Sequence, residues 1–151
     1  MGLRTIQLET KLRELIRDPK LCALSTHNKG QPYASLVAFA GTDDLKHIVF
    51  ATPKATRKYA NIKADSRAAV LITKAGNKVS DFRQAMAATA VGTVREIRKT
   101  KNSKLLKLYL GKHPHLTDFV QSPTCSVLCL DVHSFYVVDR FQHVLELHLK
   151  K

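Results

Sequence analysis

Two threonine hydroxyls, an arginine and a lysine fall together at Thr52, Thr56, Arg57 and Lys58, the side-chain types that bind an anion. Upstream the chain reads G-Q-P-Y-A-S-L-V-A-F-A from Gly30, and from His47 it reads H-I-V-F-A-T-P-K-A-T-R-K-Y-A-N-I. The apolar run ending at Thr52 predicts a strand, Pro53 predicts a short loop, and a helix is expected to open near Thr56. Unpaired N–H groups at a helix start point towards any nearby anion, and the helix dipole favours negative charge there. Cations in a first turn weaken the helix slightly. Arg57 and Lys58 at that place make sense when an external dianion such as a phosphate neutralises them. The competing reading, a solvated Arg–Lys pair on an exposed helix, stays open.

Other chemistry is poorly supported. His113-Pro-His115 offers two imidazoles without the Asp, Glu or Cys needed to complete a metal set, and a post-helix loop explains them better. No metal site is therefore expected. His143 and His148 fall on an expected strand as surface or interface residues. Ser25, Ser35 and Ser66 lack a G-x-S-x-G setting, which argues against a hydrolase. Neither G-x-x-x-x-G-K nor G-x-G-x-x-G occurs. Cys22, Cys125 and Cys129 contain no C-x-x-C pair and are expected to be reduced and buried.

The elements that must position these groups follow from periodicity. Ile6, Leu8, Leu12, Leu15 and Ile16 share a helical face; Thr10 is a candidate cap, the spacing favours an earlier start, and Asp18-Pro19 ends the helix. Leu21–Thr26, Tyr33–Ala40 and His47–Thr52 are predicted strands, divided by turns at 27–30 and 41–44, and read as an antiparallel meander. Lys54–Ala64 is expected to be helical, with Tyr59 and Ile62 inward, and Ala68–Thr73 to be a strand. Asp81–Val94 is read as strand because Thr89, Val91 and Thr93 suit a pleat and Gly92 disfavours a helix. Lys101–Leu110 is predicted as a helix that buries Leu105, Leu106, Leu108 and Tyr109 and stops at Gly111. Two further strands are expected at Ser126–Asp131 and Phe135–Val138, and Val144–Leu149 alternates as a strand would. Many short strands with few helices imply a mainly β chain, a closed or nearly closed barrel.

The 151 residues suit one domain, read as 1–151, and 44% hydrophobic content is enough for a core without disulfides. No apolar run is long enough for a membrane span and the start lacks a signal-peptide pattern, so a cytoplasmic location is expected. Against 12 acidic residues stand 25 Lys and Arg, a net charge of +13 that attracts anions, nucleic acid included. The basic residues are dispersed, and aromatics are only 7% and not interleaved with them, so a stacking platform for nucleic acid is weakly supported.

Over most of its length, and most closely from Leu21 to Ile72, the sequence resembles the pyridoxamine 5′-phosphate oxidase-like family of FMN-binding split barrels. G-Q-P-Y before an apolar strand, then I-V-F-A-T and T-R-K-Y-A-N-I, carry the resemblance. It implies a six-stranded antiparallel split β-barrel, a homodimer and flavins at the subunit interface. It implies that Arg57 and Lys58 hold the flavin phosphate with Thr52 and Thr56. Ser35, Leu36 and Val37 would meet the isoalloxazine edge, with Phe50 and Ala51 opposite. The oxidase proper has Arg at the place of Ser35, Lys at that of Ala40, and a C-terminal Arg-x-His element without a counterpart here. Vitamin B6 oxidation is therefore not implied. The ending F-Y-V-V-D-R-F-Q-H-V looks more like relatives grouped under heme utilisation or general flavin redox, a likeness that puts Arg140 and Asn77 near the cofactor. The leading expectation is a flavin-dependent oxidoreductase acting on a small substrate or electron donor. FMN is expected, with FAD, a deazaflavin or heme as alternatives. A flavin or heme carrier without turnover ranks second, and a basic nucleic-acid-binding module third.

Overall fold

Alternating apolar side chains along a series of strands leave one face that must be buried, and the chain solves this by closing a sheet on itself. The computed structural model describes residues 2–74, 76–80, 85–139 and 143–150; Arg140 lies outside them. Helix α1 (Leu3–Arg17) precedes the meander β1 (Leu21–Asn28), β2 (Gln31–Gly41) and β3 (His47–Pro53). Helix α2 (Arg57–Ala64) leads into β4 (Arg67–Thr73) and β5 (Ala87–Ile97). Helix α3 (Lys104–Lys112), a 3₁₀ turn at Pro114–Leu116 and α4 (Thr117–Gln121) precede β6 (Cys125–Asp139) and β7 (His143–His148). The strands are antiparallel in the order β3-β2-β1-β4-β5-β6-β7, and β3 also pairs with β6. Six strands thus form a closed barrel, with β7 appended to the second half of β6.

The β1–β2 hairpin turns on Lys29 and Gly30, both at positive φ (50° and 85°), the mirror-image turn whose twist matches its strands. Leu24, Phe39, Ile48, Phe50, Ile72, Leu130 and Phe135 fill the barrel, and α1 adds Leu8, Leu12, Leu15 and Ile16. A second apolar cluster lies outside the barrel, where α3 and α4 bring Tyr109 and Val120 against Ala40, Val49, Ala51 and Val127. The outer face of β1, β4 and β5 has no such cover among the described residues, and Leu36 beside it is 70% exposed.

Several boundaries differ from those predicted. Ser126–Asp131 and Phe135–Val138 are one strand; its first half pairs with β3, its second with β7, and β5 accompanies both. Continuity depends on a bulge at Val91/Gly92, where a Cβ on Gly92 would collide with the carbonyl oxygen of Asp131. Thr10 does not cap α1 but donates back to the Ile6 carbonyl at 3.0 Å, and Ile6 itself is exposed. Ser103, whose hydroxyl accepts from the Leu106 N–H, starts α3, and Gly111 lies inside that helix rather than ending it. Leu108 faces outward, not inward. His113 caps α3 and is buried, its Nε2 lying 2.7 Å from the Phe39 carbonyl oxygen. Residues 81–84 of the strand expected from Asp81 lie outside the described residues.

Candidate anion-binding site

Strands β2 and β3 pair only through Phe39↔Phe50, Ala40↔Val49 and Gly41↔Ile48. Beyond that point β2 continues with β1 as far as Gln31, while β3 continues with β6 as far as Pro53. The two strands part, and the β2 edge from Tyr33 to Val37 has no strand partner on that side among the described residues. Alternate backbone groups along it therefore face the cleft. Helix α2 opens just after the end of β3, at the same end of the barrel.

The helix opens at Thr56 as the Pro53 loop predicts, with its first turn at Arg57, so Lys54–Ala55, read as helical from the sequence, belong to the turn before it. Thr56 is the N-cap, its Oγ1 accepting the Tyr59 N–H at 3.3 Å. Thr52 Oγ1 lies 2.9 Å from Thr56 Oγ1, and both hydroxyls can donate to the Pro53 carbonyl, at 3.1 and 2.9 Å. Inside the fold, Asn61 Nδ2 donates to Thr26 Oγ1 at 3.0 Å, fixing α2 to β1 through a buried polar pair. The Arg57 guanidinium reaches across to β2 and lies 5.6 Å from the centre of the Tyr33 ring. No acidic residue occupies the first turn, and neither Arg57 nor Lys58 has an ion-pair partner among the described residues. The nearby carboxylate of Glu96 is engaged elsewhere. It accepts from Ser126 Oγ at 2.7 Å and Tyr59 Oη at 3.3 Å, and pairs with Lys63. The Ser126 hydrogen bond holds it below its ordinary pKa.

The residues singled out in the sequence divide by side-chain parity. Thr52, Thr56, Arg57 and Lys58 come together at the mouth of the cleft. Ser35 lies on the inward row of β2, and its buried Oγ has no hydrogen-bond partner among the described residues. Leu36 points outward and Val37 into the barrel core. Phe50 is fully buried in that core and Ala51 in the outer cluster, so neither side chain is open to the cleft. Asn77 is exposed, at φ 57°, in the connection after β4. Strand direction puts that connection at the other end of the barrel, so within one chain Asn77 does not join the Thr52–Lys58 group. Tyr33 was not foreseen; G-Q-P-Y carried it, and inward parity with Ser35 was the available signal.

A family model described as pyridoxamine 5′-phosphate oxidase matches residues 8–139. The chain belongs to the pyridoxamine 5′-phosphate oxidase-like family. Solved structures share its split-barrel fold at low identity. A heme binding protein from Mycobacterium smegmatis superposes with a TM-score of 0.81 at 16% identity, covering 93% of this chain and 57% of that one. A protein from Clostridium acetobutylicum related to general stress protein 26, of the pyridoxinephosphate oxidase family, gives 0.72 at 17% identity, with 95% of each chain covered. A FAD-binding protein from Mesorhizobium loti gives 0.66 at 15% identity, covering 85% of this chain and 91% of that one. No curated protein matches the sequence. No helix among the described residues is long and apolar enough to cross a membrane.

Proposed function

We propose that the chain is a flavin-binding protein that holds the phosphate of FMN at the start of α2 and serves as a small flavin-dependent oxidoreductase. One observation carries the reading: Arg57 and Lys58, two cations without ion-pair partners among the described residues, stand beside two threonine hydroxyls at the mouth of an open cleft. This donor set fits a phosphate dianion, and the buried, unbonded Ser35 Oγ supplies a further polar group beside the free β2 edge. Arg57, Lys58, Thr52 and Thr56 would hold the phosphate. Backbone groups of Ser35–Val37 would orient the ring edge. When bound, the flavin supplies the electron chemistry, so the chain needs few catalytic side chains.

Cleft and surface together favour a homodimer with the flavin between subunits. Leu36 is 70% exposed, and strand register aligns it with Ala23, Leu71, Thr89 and Tyr136 across the uncovered outer face. An apolar row of this kind suits a self-complementary partner surface. A second copy would also bring its own Asn77 connection to the interface region, which makes a role for Asn77 compatible with its distance from Arg57 in one chain.

The deciding experiment is a visible absorption scan of the purified protein, before and after loading with FMN and gel filtration. Retained flavin bands that weaken when Arg57 and Lys58 are replaced support the reading and justify a screen of electron donors. Bound heme would favour a pigment carrier without turnover, a reading encouraged by the Mycobacterium smegmatis neighbour. FAD or a deazaflavin bound instead would keep the phosphate site and change the cofactor. Absence of any pigment, with salt-sensitive retention of DNA, would move the basic-module reading to first place.

A further inference from the structure

At the start of β3, well away from the cleft, three chemically different ligand atoms converge on one point. His47 pairs with Asp131 across the β3–β6 ladder, and Cys129 lies two residues before Asp131 on the same outer row. His47 Nδ1 lies 2.8 Å from Asp131 Oδ1 and 3.7 Å from Cys129 Sγ, and Cys129 Sγ lies 3.5 Å from the same carboxylate oxygen. The His47 and Asp131 side chains are 32% and 35% exposed, whereas Cys129 is fully buried behind them. Arg95, opposite Cys129 on β5, donates Nε to the other carboxylate oxygen at 2.8 Å.

An ion-pair cluster would need only His47, Asp131 and Arg95. The thiol adds only long, weak hydrogen bonds, to Asp131 and His47 and from Arg95 Nη2 at 3.9 Å, yet it completes an N, O and S set around one point. In a tetrahedral zinc site the bond lengths give ligand–ligand edges of about 3.3 Å for N···O and about 3.6 Å for S···N and S···O. The two sulfur edges already match, and the His47–Asp131 contact need only open by about half an ångström to match as well. We infer that His47, Cys129 and Asp131 form a Zn²⁺ site that fastens β3 to β6, with water in the solvent-facing fourth position. A nitrogen, a carboxylate and a sulfur suit a borderline-soft cation rather than Mg²⁺ or Ca²⁺. Thiolate and carboxylate together balance the charge of the dication. Arg95 holds Oδ2 and leaves Oδ1 for the metal, the orienting role that outer-sphere partners play. On binding, the Cys129 thiol proton passes to solvent, and His47 presents Nδ1 unprotonated with its proton on Nε2.

Co²⁺ reports this site directly, because a thiolate ligand gives a charge-transfer band and tetrahedral geometry gives intense ligand-field bands. Tag-free protein, reduced with a non-chelating phosphine, is titrated with Co²⁺ and followed by difference absorption. One Co²⁺ per chain is expected, with a thiolate band that Zn²⁺ abolishes, that Cys129→Ala lacks, and that Cys22→Ala and Cys125→Ala keep. His47→Ala, at a partly exposed residue, is expected to weaken Co²⁺ binding by roughly tenfold or more, the loss that even outer-sphere changes reach. A wild-type protein without the thiolate band, or a band that survives in Cys129→Ala, would overturn the inference. Should Cys129→Ala lose its native circular dichroism, unchanged Co²⁺ affinity in His47→Ala would overturn it equally.

Discussion

Strand β3 begins at His47 among Asp131, Arg95 and Cys129, and it ends at Thr52 and Pro53 beside Thr56, Arg57 and Lys58. At the first end the imidazole and the guanidinium share the two oxygens of one carboxylate. At the other end Arg57 and Lys58 have no such partner among the described residues, and the nearby Glu96 carboxylate is committed to Ser126, Tyr59 and Lys63. Balanced charge holds strands together and admits a cation only where it can replace existing contacts. Unbalanced positive charge at a helix start does little for the fold and leaves the site ready for an anion from outside. A basic sequence alone does not separate these cases; the distribution of carboxylates does.

Gly92→Ala should give the largest effect and act on the first end. The added Cβ meets the Asp131 backbone at the bulge, and a loss of about 2–3 kcal/mol is expected in urea unfolding. Flavin retention per folded molecule should stay near wild type, and a selective loss of flavin would mean that the two ends are coupled. Replacing Arg57 and Lys58 together by Ala acts on the other end. Flavin affinity should fall more than tenfold, while the stability of the flavin-free protein stays within about 0.5 kcal/mol. Equilibrium dialysis with FMN and thermal unfolding without it check the two halves separately.

Leu36→Glu tests whether the open end is completed by a second copy. Sedimentation velocity should show a dimer dissociation constant raised by about tenfold, with weaker flavin retention at low protein concentration. A monomeric wild type would remove the interface from the reading. The smallest effect is expected from Ser126→Ala, which takes a donor from Glu96. Because the Glu96 pKa is lowered below 4.5 in the fold, its stabilisation is present above that value and fades as pH falls through the folded pKa. The variant should be less stable than wild type at pH 7 by under about 1 kcal/mol, given that Glu96 is partly solvated. That gap should close towards pH 3 in urea midpoints, and a constant gap would show that Ser126 acts through packing alone.

What could be read from the chain follows sequence distance. Thr52, Thr56, Arg57 and Lys58 were legible because one loop and one helical turn bring them together. The meander was legible because each hairpin closes locally, and inward positions of α1 because Leu8, Leu12 and Leu15 repeat at helical spacing. The Cys129–His47–Asp131 group was not, since its members meet only after strands 82 and 84 residues apart pair. Phe50 shows a different failure. Its neighbourhood was legible, but strict alternation sends its side chain into the core while Thr52, two residues on, stands just before the strand's end at Pro53. The unity of β6 was hidden by the polar residues Asp131, His133 and Ser134, which look like a break and instead span the bulge opposite Gly92.

Barrel closure through β3 and β6 also has a history in time. Residues 47 and 131 are register partners, so the β3 edge has no mate until β6, far later in synthesis, has emerged. Until then its ladder of N–H and C=O groups is open to other chains, and closure must await a long-range encounter of the kind that slows β-rich folding. The α3–α4 segment, synthesised before β6, packs over the same outer side of β3 and would shield its apolar residues while the edge waits.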